Sequence, residues 1–166
     1  MSLVTRLAPL ALALLAAAPL HVQAQKIDNQ VVDVSSRDRA MAAAIAKAQA
    51  TLDDFLRVAA KPPAGASDFK LKVRVRDAHG IEHLWVTPFK VLGKDRFEGI
   101  VANQPRDVEV VERGDTHRFT RAEVSDWGYV RDGKQIGSFT VCALFTQMPP
   151  EQVRRYKQDH GFVCAE

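Results

Sequence analysis

Between Phe69 and Asp77 apolar and basic residues alternate without a break. Phe69, Leu71, Val73 and Val75 point one way, and Lys70, Lys72, Arg74 and Arg76 point the other. A period of two predicts a strand with one buried face and one basic face. Ile81 to Thr87 is a second strand-like run, reached through Ala78-His79-Gly80. A three-residue loop ending in Gly predicts a hairpin with Arg76 opposite Glu82, Val75 opposite His83 and Val73 opposite Trp85. A second hairpin is predicted around Asp132-Gly133, a dipeptide suited to the two positive φ angles of a type I′ turn. Its register sets Tyr129 opposite Ile136, Trp127 opposite Ser138 and Gly128 opposite Gly137. The facing glycines would leave a hollow for an aromatic such as Trp85 or Phe55. The second arm continues through Cys142 into Ala143-Leu144-Phe145, apolar on both faces, which predicts a buried central strand.

Helical spacing appears earlier in the chain. Ser35 and Asp38 have the spacing of a capping box, and Met41, Ile45, Ala48, Leu52, Phe55 and Ala59 then recur on one side. A long amphipathic helix is expected, ended by Lys61-Pro62-Pro63-Ala64-Gly65. Phe97 to Ala102, entered by a Gly93-Lys94 turn, and Thr116 to Phe119 read as strands, with Val108 to Val111 a short extended segment between them. Thr120 to Glu123 matches a capping box and predicts one helical turn. After Pro149-Pro150, Glu151 to His160 reads as a short helix with Val153 and Tyr156 inward, capped by Gly161 so that Phe162 folds back. The expected class is α+β: a curved antiparallel sheet with a long N-terminal helix and a short C-terminal helix.

The N-terminus changes the setting of this domain. Arg6 precedes an apolar run from Leu7 to Leu20, and Val22-Gln23-Ala24 offers small residues where a signal peptidase reads. Residues 1–24 are expected to be a signal peptide and 25–35 a tether, with one domain over 36–166. The run is shorter than the roughly 20 residues of a spanning helix, and Pro9 and Pro19 interrupt it. No transmembrane anchor is therefore expected after cleavage, and the expected location is the periplasm. Losing residues 1–24 removes Arg6 and no acid, leaving 22 basic against 20 acidic residues. That balance argues against a nucleic-acid partner, which calls for a strongly basic domain. The two cysteines, Cys142 and Cys164, both lie in the exported part. An even count in an oxidising compartment favours a disulfide over a pair of buried free thiols.

Candidate chemistry is sparse. His79-Gly80-Ile81-Glu82-His83 fits an H-x-x-E-H string, but that metal motif works on a helix, and here its glycine falls in a turn between strands. Cys142 with His117 or His160 would make a thiol nucleophile and base only if the sulfur met an electropositive opening, which an apolar strand does not supply. A zinc site from Cys142, Cys164 and a His lacks C-x-x-C spacing. No metal or cofactor is expected.

The stretches Ser67 to Val75, Glu82 to Val86, Ser125 to Tyr129 and Gly137 to Cys142 together resemble the YegJ-like bacterial family, domain of unknown function 2314. The resemblance runs from about Asp38 to Cys164 and implies one small α+β domain, with no catalytic residues to carry over. The residues themselves offer two candidate binding surfaces. One is the basic stripe Lys70, Lys72, Arg74 and Arg76. The other is Asp126, Trp127 and Tyr129, an acid beside two aromatics. The expected function is a non-enzymatic binding or inhibitory module acting on a protein or envelope polymer. The alternative is an envelope hydrolase or modifying enzyme using Asp126, Glu123 and His117.

Overall fold

The computed structural model describes residues 39–164. The expected signal peptide, the tether and the Ser35–Asp38 cap lie outside the described residues. Helix α1 spans Arg39–Ala50 and α2 Leu52–Ala60. Six strands follow: β1 Ala66–Arg76, β2 Ile81–Gly93, β3 Arg96–Val101, β4 Thr116–Thr120, β5 Val124–Arg131 and β6 Lys134–Gly137. Helices α3, Phe139–Phe145, and α4, Pro150–His160, close the order. All strand pairings are antiparallel, in the order β4-β3-β2-β1-β5-β6. The α+β class and the antiparallel sheet are as expected.

The connection from β4 to β5 shows why the sheet is curved. These strands lie four places apart, about 19 Å in a flat sheet, yet Thr120 to Val124 reaches only about 14 Å fully extended. A three-residue 3-10 turn, Arg121–Glu123, bridges the gap. The sheet must therefore curl so that β4 approaches β1 and β5. Phe119 of β4 and Val124 of β5 accordingly share one core cluster with Leu52 and Phe55 of α2. Arg121 holds the curl from outside, pairing with Asp53 of α2 and Asp95 of the β2–β3 turn.

The concave face carries Leu71, Val73, Val86, Phe97, Trp127 and Tyr129 against the helices. Phe55 sits at the centre, with ring centroids 5.0 Å from Trp127, 5.8 Å from Phe89, 6.0 Å from Phe69 and 6.3 Å from Tyr129. A second cluster, Val75, Leu84, Val101, Val108 and Val111, lies under the segment between β3 and β4. That segment, expected to contain a short extended run at Val108 to Val111, forms no strand and is held by side chains. Glu82 Oε2 accepts the amides of Arg106 and Asp107, and Asp77 Oδ2 those of Glu109 and Val110.

Four expectations are corrected. The long N-terminal helix is two, bent at Thr51, whose hydroxyl donates back to the Lys47 carbonyl at 2.7 Å. Such back-bonding bends helices. The β1–β2 register is one residue from the expected one, with Val75 opposite Glu82, Val73 opposite Leu84 and Lys72 opposite Trp85. The cause is Asp77: its carboxylate accepts the amides of His79 and Gly80 and its own N–H donates to the Gly80 carbonyl, which shortens the loop to Ala78-His79. Strand β2 runs on through Pro88, where β1 pairing has already ended and a bulge against β3 leaves the missing N–H unneeded.

The fourth correction is the largest. Phe139–Phe145 is a helix, not a central strand, so β6 is a four-residue edge strand. The second hairpin holds its expected register over Gly128–Gly137 and Tyr129–Ile136, with Asp132 and Gly133 at φ 50 and 75. Pairing stops there; Ser138 still donates its N–H to the Trp127 carbonyl at 2.7 Å, then turns the chain into α3 at φ 54. The expected hollow is filled by neither Trp85 nor Phe55. A Cβ on Gly137 would meet the Trp127 ring at 2.5 Å, and one on Gly128 would meet Ser138 Oγ at 2.6 Å.

Cys142 and Cys164 are bridged, with Cα atoms 5.6 Å apart. Because Cys142 is helical, the bridge ties α3, rather than a strand, to the segment after α4. Phe162 folds back as expected: it bridges to Gln135 and its ring lies 5.4 Å from Phe145. Val153 and Tyr156 of α4 are half-buried. Replacing both cysteines by serine should lower the unfolding free energy by about 3 kcal/mol through loop-closure entropy, read as a smaller denaturant midpoint. An unchanged midpoint would show that the bridge closes nothing the fold does not already close.

Candidate functional site

The outer, convex face of the sheet takes the other half of each strand's alternation. At its middle Lys72 of β1 stands between Trp85 of β2 and Asp126 of β5, and Lys70 pairs with Gly128. The Lys70 ammonium lies 5.1 Å from the centroid of the Trp85 ring and that of Lys72 lies 5.3 Å from it. Cations so placed are attracted by the ring quadrupole. Arg74 and Arg76 continue the row, both exposed, while Trp85, Lys70 and Lys72 are half-buried.

Asp126 is the fixed point under this row. It is fully buried, and every bond to its carboxylate comes from a donor. Oδ1 accepts the amides of Trp127 (2.8 Å) and Phe139 (3.2 Å); Oδ2 accepts the Thr140 amide (2.7 Å) and hydroxyl (2.6 Å). Lys72 Nζ donates to the same hydroxyl at 3.3 Å. An acceptor-only pattern is that of an ionised carboxylate. Burial pushes the Asp126 carboxyl up, against the pull of the Thr140 hydroxyl and amide, Lys72 and the Trp127 amide. Burial lowers Lys72, opposed by Asp126 and reinforced by Lys70, and lowers Lys70, opposed by Asp68 and Asp126.

His83 completes the patch. Its Nδ1 is 2.8 Å from the Ser125 hydroxyl, which in turn donates to the Lys72 carbonyl. Burial, then Lys72 and Arg74, hold its pKa down at about 4. A base whose folded pKa lies below its unfolded value of about 6.5 stays neutral in the fold while the open chain takes a proton. The stability this gives is present above pH 6.5 and is lost as pH falls toward 4. Thermal melts across that window should fall more steeply for the parent than for His83→Gln; parallel curves would contradict the assignment.

The two surfaces expected from sequence separate here. Lys70, Lys72, Arg74 and Arg76 share the outer face with Asp126, whereas Trp127 and Tyr129 lie in the core, Trp127 stacked on Phe55 and Tyr129 on Phe69. The Trp127 indole N–H donates to the Ala48 carbonyl at 3.0 Å. Of the expected acid–base set, Glu123 is held in its own cap by Thr120 and Asp126 by α3, and among the described residues no hydrogen bond links either to His117. Burial lowers the His117 pKa, against the charge of Glu123. The H-x-x-E-H residues also diverge. His79 meets Glu109 at 3.2 Å, Glu82 faces the loop beneath the sheet, and His83 faces outward.

Sequence reading missed Trp85, His83, Ser138 and Thr140 as neighbours of the lysines. For Trp85 and His83 the reason is the one-residue register shift, which exchanges the faces of a strand. For Ser138 and Thr140 it is the unrecognised helix.

The profile of a family described as an uncharacterised protein conserved in bacteria (DUF2314) matches residues 38–163. The chain is 32% identical over 127 residues to the Escherichia coli (strain K12) protein called Uncharacterized protein YegJ, covering 76% of this chain and 81% of that one. It is 30% identical over 76 residues to a Neisseria meningitidis serogroup B protein called "Putative ankyrin repeat protein", covering 46% of this chain and 30% of that one. No solved structure matches.

Proposed function

We infer that this chain, which belongs to the family of uncharacterised proteins conserved in bacteria (DUF2314), acts as a non-enzymatic binding module for an anionic polymer of the bacterial envelope. The observation that carries the reading is the pair of lysines converging on Trp85, continued by exposed Arg74 and Arg76. Same-face residues on a strand recur at about 7 Å, so the four cations form a line of about 20 Å. A repeating polyanion can meet such a line with successive charges, and clustered charge of one sign also raises its encounter rate. Burial of Asp126 beneath the row leaves the basic side chains as the outward charge.

The site of action follows from the other end of the chain. Residues 1–24 act as a cleaved signal peptide, and the module works in the periplasm. The Cys142–Cys164 bridge supports this, since such bonds persist in oxidising compartments. Mass spectrometry of protein from a periplasmic fraction should give a chain starting at Gln25; an intact Met1–Ala24 segment would overturn export by cleavage.

Arg74→Glu with Arg76→Glu should weaken retention on immobilised polyphosphate by about tenfold or more at low salt, an energy of about 1.4 kcal/mol. Neutral dextran should not be retained, and salt near 1 M should release the parent because the screening length is then about 3 Å. Equal retention of the parent and the double variant would sink the reading.

A further inference from the structure

A serine at a helix start ordinarily spends its hydroxyl on the first free amides of the helix. Ser138 does not. It sits at φ 54, ψ 41, and Asp126 has taken the amides of Phe139 and Thr140. Its Oγ is fully buried and has no hydrogen-bond partner among the described residues. A left-handed non-glycine and an unpaired buried hydroxyl are two local costs in one residue, and such breaches of local rules gather at functional sites.

The direction of the hydroxyl is set by Gly128. A Cβ there would lie 2.6 Å from Ser138 Oγ and 3.5 Å from Lys70 Cε. Gly128 is the cross-strand partner of Lys70, so that missing side chain would project from the outer face. Ser138 Oγ thus lies on the lysine side of the sheet, beside the Lys70 side chain. Lys70 and Lys72 in turn converge on one Trp85 ring.

We propose that Ser138 Oγ, Lys70 Nζ and Lys72 Nζ form a site for a single phosphoryl group carried by the polymer, entered when the Lys70 side chain swings away from Gly128. This rests on the reading of the outer face as a polyanion platform and names the anion. Three donors, two from β1 and one from the turn into α3, suit a phosphoryl group, which offers three acceptor oxygens and up to two charges. A carboxylate offers two oxygens and one charge. Asp126 touches no ligand in this arrangement: it holds α3 so that Ser138 stays over Gly128, and its charge favours the protonated form of both lysines. Side-chain rearrangement of this size is common on binding.

The test is a titration of the purified, disulfide-bonded protein with inorganic phosphate, glucose 1-phosphate and galacturonate, followed by amide NMR shifts. Both phosphates should move the amides of Gly128 and Ser138, and galacturonate should bind about tenfold more weakly. Ser138→Ala and Ser138→Gly should each weaken phosphate about tenfold, the usual scale for a hydrogen bond to a charged group. Their thermal melts should not fall, because the atom removed has no partner; Ser138→Gly also relieves the positive φ. If both serine variants bind phosphate as the parent does, or galacturonate binds as well as phosphate, the phosphoryl site is overturned, while continued retention on polyphosphate leaves the platform standing. Loss of both phosphate shifts and polyphosphate retention in the parent overturns the two together.

Discussion

Phe55→Ala should lower the unfolding free energy by about 3–5 kcal/mol, the range for emptying a buried aromatic site. The ring is 1% exposed and is the one that Phe69, Phe89, Trp127 and Tyr129 all share. Removing it leaves a cavity walled by strands on one side and α2 on the other, and neither wall can collapse without breaking ladder or helix bonds. Trp127 suffers most, because its indole is pinned to α1 through the Ala48 carbonyl and cannot follow. Urea unfolding should show the loss as a lower midpoint with an unchanged slope. Val110→Ala serves as reference: that side chain is 59% exposed, and its loss should stay within about 0.5 kcal/mol. A Phe55→Ala loss no larger than that of the reference would mean that the aromatic cluster is not the centre of the core.

Asp126→Ala should cost a similar amount, about 3–5 kcal/mol, by a different route. Breaking a buried charged network strands the partners, and here the Trp127, Phe139 and Thr140 amides and the Thr140 hydroxyl all lose their acceptor. Lys72 also loses the charge that opposes its desolvation. Asp126→Asn keeps the shape but turns one acceptor oxygen into a donor facing amide N–H groups, so it should recover only part of the stability. The diagnostic readout is local. Amide exchange in α3 should rise in both variants, since the start of this seven-residue helix rests on that carboxylate. If α3 keeps its protection in Asp126→Ala, the carboxylate does not organise the helix, and the positioning argument for Ser138 falls with it.

These two residues also show what could be read in advance. Phe55 was legible because helical spacing over Met41 to Ala59 and strict alternation over Phe69 to Val75 each mark one buried face, and the two faces must meet. The Asp132-Gly133 register was legible because a two-residue turn sets its own strand pairing. Asp126 was noticed as a candidate, but its role was not. Phe-Thr-Val-Cys-Ala-Leu-Phe has the β-branched and aromatic composition of a strand, and it becomes helical where a carboxylate 13 and 14 residues earlier accepts its first amides. A bond over that distance leaves no local period. The β1–β2 register failed for a smaller and local reason: one side chain, Asp77, closes the turn a residue earlier than Gly80 suggests.

The amino-acid order alone determined the α+β class, the buried faces of α2 and β1, and the glycine pairing across Gly128 and Gly137. Local patterns are sufficient there, because burial periodicity and turn geometry act within a few residues. Tertiary structure alone decided that the sheet curls, that Trp85 stands with the lysines while Trp127 and Tyr129 lie beneath them, and that Ser138 keeps an unpaired hydroxyl beside Lys70. The curl and the Ser138 hydroxyl depend on contacts between segments distant in the chain, a short link across four strand positions and a helix start satisfied from another strand; the place of Trp85 depends on a side-chain closure inside one turn, which carries no period.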